Sequence, residues 1–154
     1  MGNAQMAMTM NGSFDLPASR EVVWRKLNDP EVLRACIPGC QSLERSGDNG
    51  FLAVAKIKVG PVSATFKGKV NLSDLDPPNG YKINGEGEGG IAGFAKGGAS
   101  VQLAEIPEGT RLDYAVEANI GGKIAQLGAR LINGVAKKMA DQFFDKFAQA
   151  VKSA

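Results

Sequence analysis

The chain has 154 residues, which is enough for a single domain that buries roughly two thirds of its unfolded surface. Its apolar content of 44% is ordinary for a globular protein, and its net charge of +2, without an arginine-rich block or many aromatics, argues against nucleic acid as a partner. The chain contains no histidine, which excludes Ser-His and Cys-His nucleophiles and most zinc sites, so we expect neither catalytic residues nor a metal site.

The first part of the chain predicts one strand and two short helices. We expect residues 1–7 to be disordered and residues 8–152 to form a single domain, which opens with a strand over Met8–Leu16. Ser19 is a favourable N-cap for a helix ending near Leu27. A second short helix is predicted over Glu31–Cys36, where the following Ile-Pro-Gly stops it.

Alternating apolar and polar residues then predict antiparallel strands with one wet face. These strands are Gln41–Arg45, Phe51–Val59, Val62–Leu72, Tyr81–Gly89, Phe94–Ile106 and Thr110–Ile120. Their apolar face is rich in small residues: Ala53, Ala55, Ala64, Gly68, Gly85, Gly87, Gly89, Gly97, Ala99 and Ala118. Such a face either lets a helix pack closely or leaves a hollow, and the pattern alone leaves both open.

The run from Lys123 to Val151 predicts one long amphipathic helix. Its apolar stripe is formed by Ile124, Leu127, Leu131, Val135, Met139, Phe143 and Phe147. The stripe and the apolar face of the sheet each need cover, so we expect an α+β fold in which an antiparallel sheet of six to seven strands wraps around this helix. Gly128 and Gly134 are predicted inside the helix, where they indicate close packing or a cavity wall.

Three further motifs are interpreted as structural. Residues 85–90 formally contain G-x-G-x-x-G, but two glutamates lie inside the motif and more strand follows, so a kinked strand is favoured over a dinucleotide site. Cys36 and Cys40 lack partners for a zinc site and are expected to be free thiols. Trp24 is predicted to anchor the core, and Glu86 and Glu88 to point towards solvent.

Charge and targeting signals bear on location. Residues 1–10 lack the charged start and apolar core of a secretory signal, and no apolar run is long enough to span a bilayer, so we expect a cytoplasmic protein. The C-terminal helical segment is basic, which predicts either a solvated face or peripheral contact with the inner face of the membrane. Its cations are Lys123, Arg130, Lys137, Lys138, Lys146 and Lys152, against Asp141 and Asp145.

Two segments carry a family resemblance. The first is Leu27–Cys40, LNDPEVLRACIPGC, and the second is Lys56–Val62, KIKVGPV, followed by Phe66-Lys67-Gly68. Together they resemble the G-subunit family of carbon monoxide dehydrogenase, within the SRPBCC or Bet v1/START-like helix-grip superfamily, over about Met8 to Val151. The resemblance implies a curved sheet that grips a C-terminal helix around a cavity. It also implies an accessory role to molybdenum hydroxylases of the CO dehydrogenase type, membrane recruitment, and a quinone-type lipid as the non-covalent cavity ligand.

On this basis the first hypothesis is a non-enzymatic module that binds an apolar small molecule or lipid, with Tyr114 as its polar anchor. The expected wall residues are Ala55, Ile57, Phe66, Leu112, Tyr114, Leu131, Val135 and Met139. One alternative is a protein adaptor with a filled core, which would act through Lys56, Lys58, Lys67 and Lys69. The other is a small cyclase or hydratase on the same fold.

Overall fold

The structure, a computed structural model, describes residues 5–152 and contains seven strands and three α-helices. The strands are β1 (Gln5–Leu16), β2 (Cys40–Ser46), β3 (Gly50–Val59), β4 (Val62–Asp76), β5 (Gly80–Glu88), β6 (Phe94–Ile106) and β7 (Gly109–Gly121). The helices are α1 (Arg20–Leu27), α2 (Pro30–Cys36) and α3 (Ala129–Lys152), and short 3₁₀ turns cover Gly90–Ala92 and Lys123–Leu127. The predicted α+β fold is therefore confirmed.

All seven strands form one antiparallel sheet in the order β1-β7-β6-β5-β4-β3-β2. Consecutive strands pair as a meander, and β1 joins the far side of β7. Because successive turns alternate between the two ends of such a sheet, the loops 60–61, 89–93 and 122–128 lie at one end. The helices α1 and α2 lie at the other end, near the C-terminal part of α3.

The sheet curls around α3. Five strand spacings separate β1 from β3, which would be about 24 Å in a flat sheet, whereas a helix with its side chains is about 10–12 Å across. Nevertheless, Met8 of β1, Val59 of β3 and Ile132 of α3 belong to one buried cluster. The first turns of α3 thus pack against strands near both edges of the sheet, which curves far enough to reach them.

The start of the long helix differs from its prediction. The α-helix begins at Ala129, and residues Lys123–Leu127 form a separate 3₁₀ turn. The reason is Gly128, whose φ of 97° lies in a region that a continuous α-helix cannot use. Gly134 does lie inside α3, but it is exposed and a Cβ there would meet nothing within 4 Å. For Gly134 the expectation of close packing or a cavity wall is wrong, and Gly128 lies outside the helix in which it was predicted.

The N-cap of the first helix was predicted correctly, and that of the second helix was not predicted. Ser19 caps α1 by accepting a hydrogen bond from the Val22 amide at 3.3 Å, and Asp29 caps α2. Residues 5–7 of the segment expected to be disordered lie in β1, and residues 1–4 lie outside the described part of the chain.

The interior is divided into two buried clusters. The first core cluster lies around the C-terminal half of α3 and includes Val23, Leu112, Phe147 and Val151, with Trp24 packed against it as predicted. The second core cluster lies around the first turns of α3 and includes Met8, Val59, Ile124 and Ile132. The middle of α3 lies between these clusters.

Candidate functional site

The sheet surface between the two clusters consists of small residues. Register pairs run across four strands from Ala53 through Gly68 and Gly87 to Ala95, and a neighbouring row runs from Val70 through Gly85 and Gly97 to Ala118. We define the small-residue floor as the inward-facing set Ala53, Gly68, Gly85, Gly87, Gly97, Ala99 and Ala118.

The backbone of α3 stays away from the central strands that carry most of this floor. Among residues 5–152, the backbone of α3 approaches β1 most extensively and β3 next, with no comparable approach to the central strands β4 to β7. Met139 occupies the helix face between Val135 and Phe143, yet it is packed against neither buried cluster. The floor residues face inward, and neither they nor Met139 are fully buried. From this arrangement we infer a hollow under the middle of α3, with a core cluster at each end.

The predicted wall residues fall into three groups. Ile57, Phe66, Leu131 and Val135 pack against the second core cluster. Leu112 is 1% exposed inside the first core cluster, and Tyr114 packs against that cluster. Ala55 and Met139 belong to neither cluster. The predicted wall is thus spread over both clusters and the region between them, and Leu112 is the predicted wall residue that protein encloses completely.

A cleft of about 440 Å³ between β1 and α3 brings polar groups to the side of the hollow. Tyr114 lies in this cleft with Asn133, Lys137 and Asp141, and Lys137 donates to Asp141 at 3.0 Å. The ring of Tyr114 packs on those of Phe14 and Phe144, at centroid distances of 6.2 and 5.7 Å. We call this opening the β1–α3 cleft.

Gly12 of β1 makes room for the tyrosine. A Cβ at residue 12 would lie 2.7 Å from the Tyr114 hydroxyl oxygen, so the ring crosses β1 only because that position has no side chain. Burial raises the pKa of Tyr114, the nearby Asp141 carboxylate raises it further, and Lys137 opposes the shift. The hydroxyl therefore stays protonated at neutral pH, and within residues 5–152 it has no hydrogen-bond partner.

Sequence reasoning missed Gly12, Asn133, Lys137 and Asp141. The last three recur every four residues and so lie in one stripe of α3, a signal that was available but was interpreted only as surface charge. Gly12 carried no comparable signal, because its role depends on the position of a tyrosine 102 residues later in the chain.

Other candidate groups occupy structural or outward positions. Cys36 and Cys40 are free thiols as predicted, and burial raises the pKa of each. Glu86 and Glu88 are exposed, on the face of the sheet away from α3. The lysines considered for an adaptor, Lys56, Lys58, Lys67 and Lys69, are exposed on that same face.

Neither a metal site nor a membrane span was found in the part of the chain that the structure describes. No group of three or more His, Cys, Asp or Glu side chains among residues 5–152 is arranged to hold a metal ion. Over the same residues, no helix is both long and apolar enough to cross a bilayer.

A family model and a solved structure each match nearly the whole chain. The family model for the G subunit of carbon monoxide dehydrogenase (CoxG) matches residues 12–152. A conserved protein from Geobacillus kaustophilus superposes with a TM-score of 0.89 at 36% identity, over 95% of this chain and 96% of that one. A search of curated proteins found no match.

More distant structures share the fold. Ara h 8.0201 superposes with a TM-score of 0.66 at 18% identity, over 97% of this chain and all of that one. The ZhuI aromatase/cyclase from Streptomyces sp. R1128 gives a TM-score of 0.63 at 11% identity, over 96% and 94% of the two chains. At these identities the likeness concerns the fold alone, which is the helix-grip fold of Bet v1-like proteins.

Proposed function

The chain belongs to the CoxG family, named for the G subunit of carbon monoxide dehydrogenase, and from that membership we propose that it is a non-catalytic accessory protein that holds an apolar ligand between its sheet and α3. The observation that carries the proposal is the divided core. A small-residue floor lies opposite Met139, between two buried clusters to which neither Met139 nor most of the floor belongs. An apolar ligand placed there would gain about 25 cal/mol for each Å² of apolar surface removed from water.

The proposed ligand is a quinone-type lipid. The hollow offers apolar side chains at both ends, and the β1–α3 cleft offers a free hydroxyl at its side. A flat ring bearing carbonyl oxygens and an apolar tail would match this arrangement, because the Tyr114 hydroxyl can donate to a carbonyl while the tail covers the floor. The partner supported by the family membership is a molybdenum hydroxylase of the CO dehydrogenase type, which the protein would link to the membrane.

Binding is tested by titrating the purified protein with a short-chain quinone analogue. We expect the melting temperature to rise with ligand concentration, because a ligand that binds only the folded state stabilises it by RT ln(1 + [L]/Kd). Native mass spectrometry of protein purified without detergent, followed by solvent extraction, should detect a bound lipid. An unchanged melting temperature together with an empty protein would contradict the proposal.

The role of Tyr114 gives a separate prediction. Tyr114→Phe should weaken binding of the quinone analogue about three- to tenfold, which corresponds to the net free energy of one hydrogen bond. The raised pKa keeps the hydroxyl protonated, so we expect the wild-type affinity to stay constant between about pH 6 and 9. The measurement is a calorimetric or fluorescence titration of both proteins.

Tyr81→Phe is the matched control, because Tyr81 is buried in the first core cluster, away from the cleft. A hydrocarbon probe without oxygen atoms should bind wild type and Tyr114→Phe equally. If Tyr114→Phe binds the quinone analogue as tightly as wild type, Tyr114 is not the polar anchor.

A second candidate function is a protein adaptor that uses the outer face of the sheet. Leu52 is 44% exposed there, beside the outward lysines of β3 and β4. Its register partners are Lys69 on β4 and Glu44 on β2, so a protein surface with complementary charges around an apolar contact suits this site. If Leu52→Asp abolishes association with the partner enzyme but leaves quinone binding intact, the protein performs both roles through opposite faces of one sheet.

A further inference from the structure

One end of the molecule presents an exposed apolar side chain on a glycine-rich loop. Ile91 is 90% exposed, which is the highest value among the large apolar residues identified as exposed between residues 5 and 152. It lies in the 3₁₀ turn between β5 and β6, flanked by Gly90 with a φ of 62° and Gly93 with a φ of 127°. Its neighbour Ala92 is buried in the second core cluster, so the loop is anchored while Ile91 points outward.

Three loops form this end of the sheet, and two of them contact each other. The turn containing Ile91 contacts the 3₁₀ turn Lys123–Leu127, and a Cβ at Gly122 would lie 2.4 Å from the Cα of Gly93. The β3–β4 turn also joins this end, since a Cβ at Gly60 would lie 2.7 Å from a methyl group of Leu131. We call the surface formed by residues 60–61, 89–93 and 122–128 the three-loop end.

The charge of the three-loop end is positive. Its loops contain no aspartate or glutamate, and the exposed cations Lys58, Lys123 and Arg130 lie within them or within two residues of them. One acid, Glu88, directly precedes residues 89–93, and its register partner on β4 is Lys67. Three exposed cations against one acid give this end a positive charge, which suits an anionic surface.

From this combination we propose that the three-loop end docks on an anionic phospholipid bilayer, with Ile91 inserted among the acyl chains and Lys123 and Arg130 against the phosphates. This inference rests on the proposed function and assigns its membrane step to a surface other than the basic face of α3. The docked end contains the second core cluster, which closes the hollow on that side. A lipid that crosses this cluster would move between bilayer and protein without exposure to water.

The test is sedimentation of the purified chain with vesicles of phosphatidylcholine, with and without one third phosphatidylglycerol. Wild type should bind only the anionic vesicles, and less at high salt because surface charges are then screened. Ile91→Asp should weaken binding about tenfold or more, through lost apolar burial and added repulsion. Leu75→Asp is the matched control, since Leu75 is 39% exposed at the opposite end of the sheet, and it should bind as wild type does.

Charge reversals separate the two basic surfaces. The double variant Lys123→Glu, Arg130→Glu should lose most vesicle binding, whereas Lys138→Glu, Lys146→Glu on the outer face of α3 should retain it. The reverse result would assign docking to the helix face and overturn the inference. Equal binding by Ile91→Asp and wild type would overturn it as well.

Tryptophan fluorescence at position 91 reports insertion into the bilayer directly. Ile91→Trp should show a blue-shifted emission with anionic vesicles and quenching by lipids with brominated chains, over the background from Trp24. Absence of quenching would contradict insertion. Quinone binding by Ile91→Asp in vesicle-free solution is measured in parallel. If quinone binding is intact while neither wild type nor any variant binds vesicles, only the docking inference fails. If wild type binds no quinone, the proposed function fails instead.

Discussion

Gly85→Leu is expected to abolish binding of the quinone analogue while the protein stays folded. Gly85 lies in the small-residue floor, and a Cβ built there meets only the Lys69 carbonyl oxygen and a methyl group of Val70, both at an ordinary contact distance of 3.5 Å. The leucine side chain would therefore enter the hollow without displacing the backbone. It would occupy the space that we assign to the ligand, so the affinity should fall about a hundredfold or more. The measurement is a titration followed by fluorescence or calorimetry.

Gly85→Ala is the matched control. It adds only the Cβ, so it should retain most of the affinity, and its free energy of unfolding should rise by up to about 1 kcal/mol because alanine restricts the unfolded chain. If the core were filled, Gly85→Leu would overpack it and would lower the free energy of unfolding by about 1–3 kcal/mol. If Gly85→Leu destabilises the protein by that amount, or binds the ligand as wild type does, the middle of the domain is not a ligand-sized hollow.

Phe147→Ala should cost about 3–5 kcal/mol of unfolding free energy, whereas Met139→Ala on the same helix face should cost about 1 kcal/mol or less. Phe147 is 0% exposed in the first core cluster and stacks on Phe143 at a centroid distance of 5.6 Å. Met139 lies in the middle of that face and packs against neither cluster. The loss at Phe147 is a large part of the roughly 5–15 kcal/mol that usually stabilises a domain.

Urea denaturation of the ligand-free proteins measures both changes, with an unchanged m-value as the sign that each variant unfolds in the same manner. The contrast between the two positions is the informative quantity, because both lie on the inner face of α3. Equal and large losses would mean that the middle of the helix is packed as tightly as its C-terminal half. That result would favour the adaptor with a filled core.

Most of the fold could be predicted from the sequence because strand alternation and helix caps are local signals. The inward set from Phe51 to Val59 and the cap at Ser19 depend only on neighbouring residues. The start of α3 could not be predicted in the same way. Ile124 and Leu127 keep the helical spacing, but Gly128 adopts a positive φ and divides the segment. Apolar periodicity does not distinguish a 3₁₀ turn followed by a break from a continuous helix.

The site depends on contacts between distant parts of the chain, and this limited what could be predicted. A floor of glycine and alanine was visible in the sequence, but whether α3 packed onto it depended on the curl of the sheet. The glycines also differ in ways that sequence cannot show. Gly85 has room for a Cβ, whereas a Cβ at Gly97 would lie 2.1 Å from the Glu117 carbonyl oxygen. Gly97 is thus required by the approach of β7, whereas Gly85 would tolerate a side chain.

The central claim is that an apolar ligand occupies the space between the small-residue floor and Met139. It is tested most directly by a crystal structure of the protein with a quinone analogue that carries bromine on its alkyl tail. We expect an anomalous peak above the floor, between the two core clusters, and the quinone ring near the Tyr114 hydroxyl. A structure in which protein side chains fill this space, with the bromine elsewhere on the surface or absent, would contradict the account.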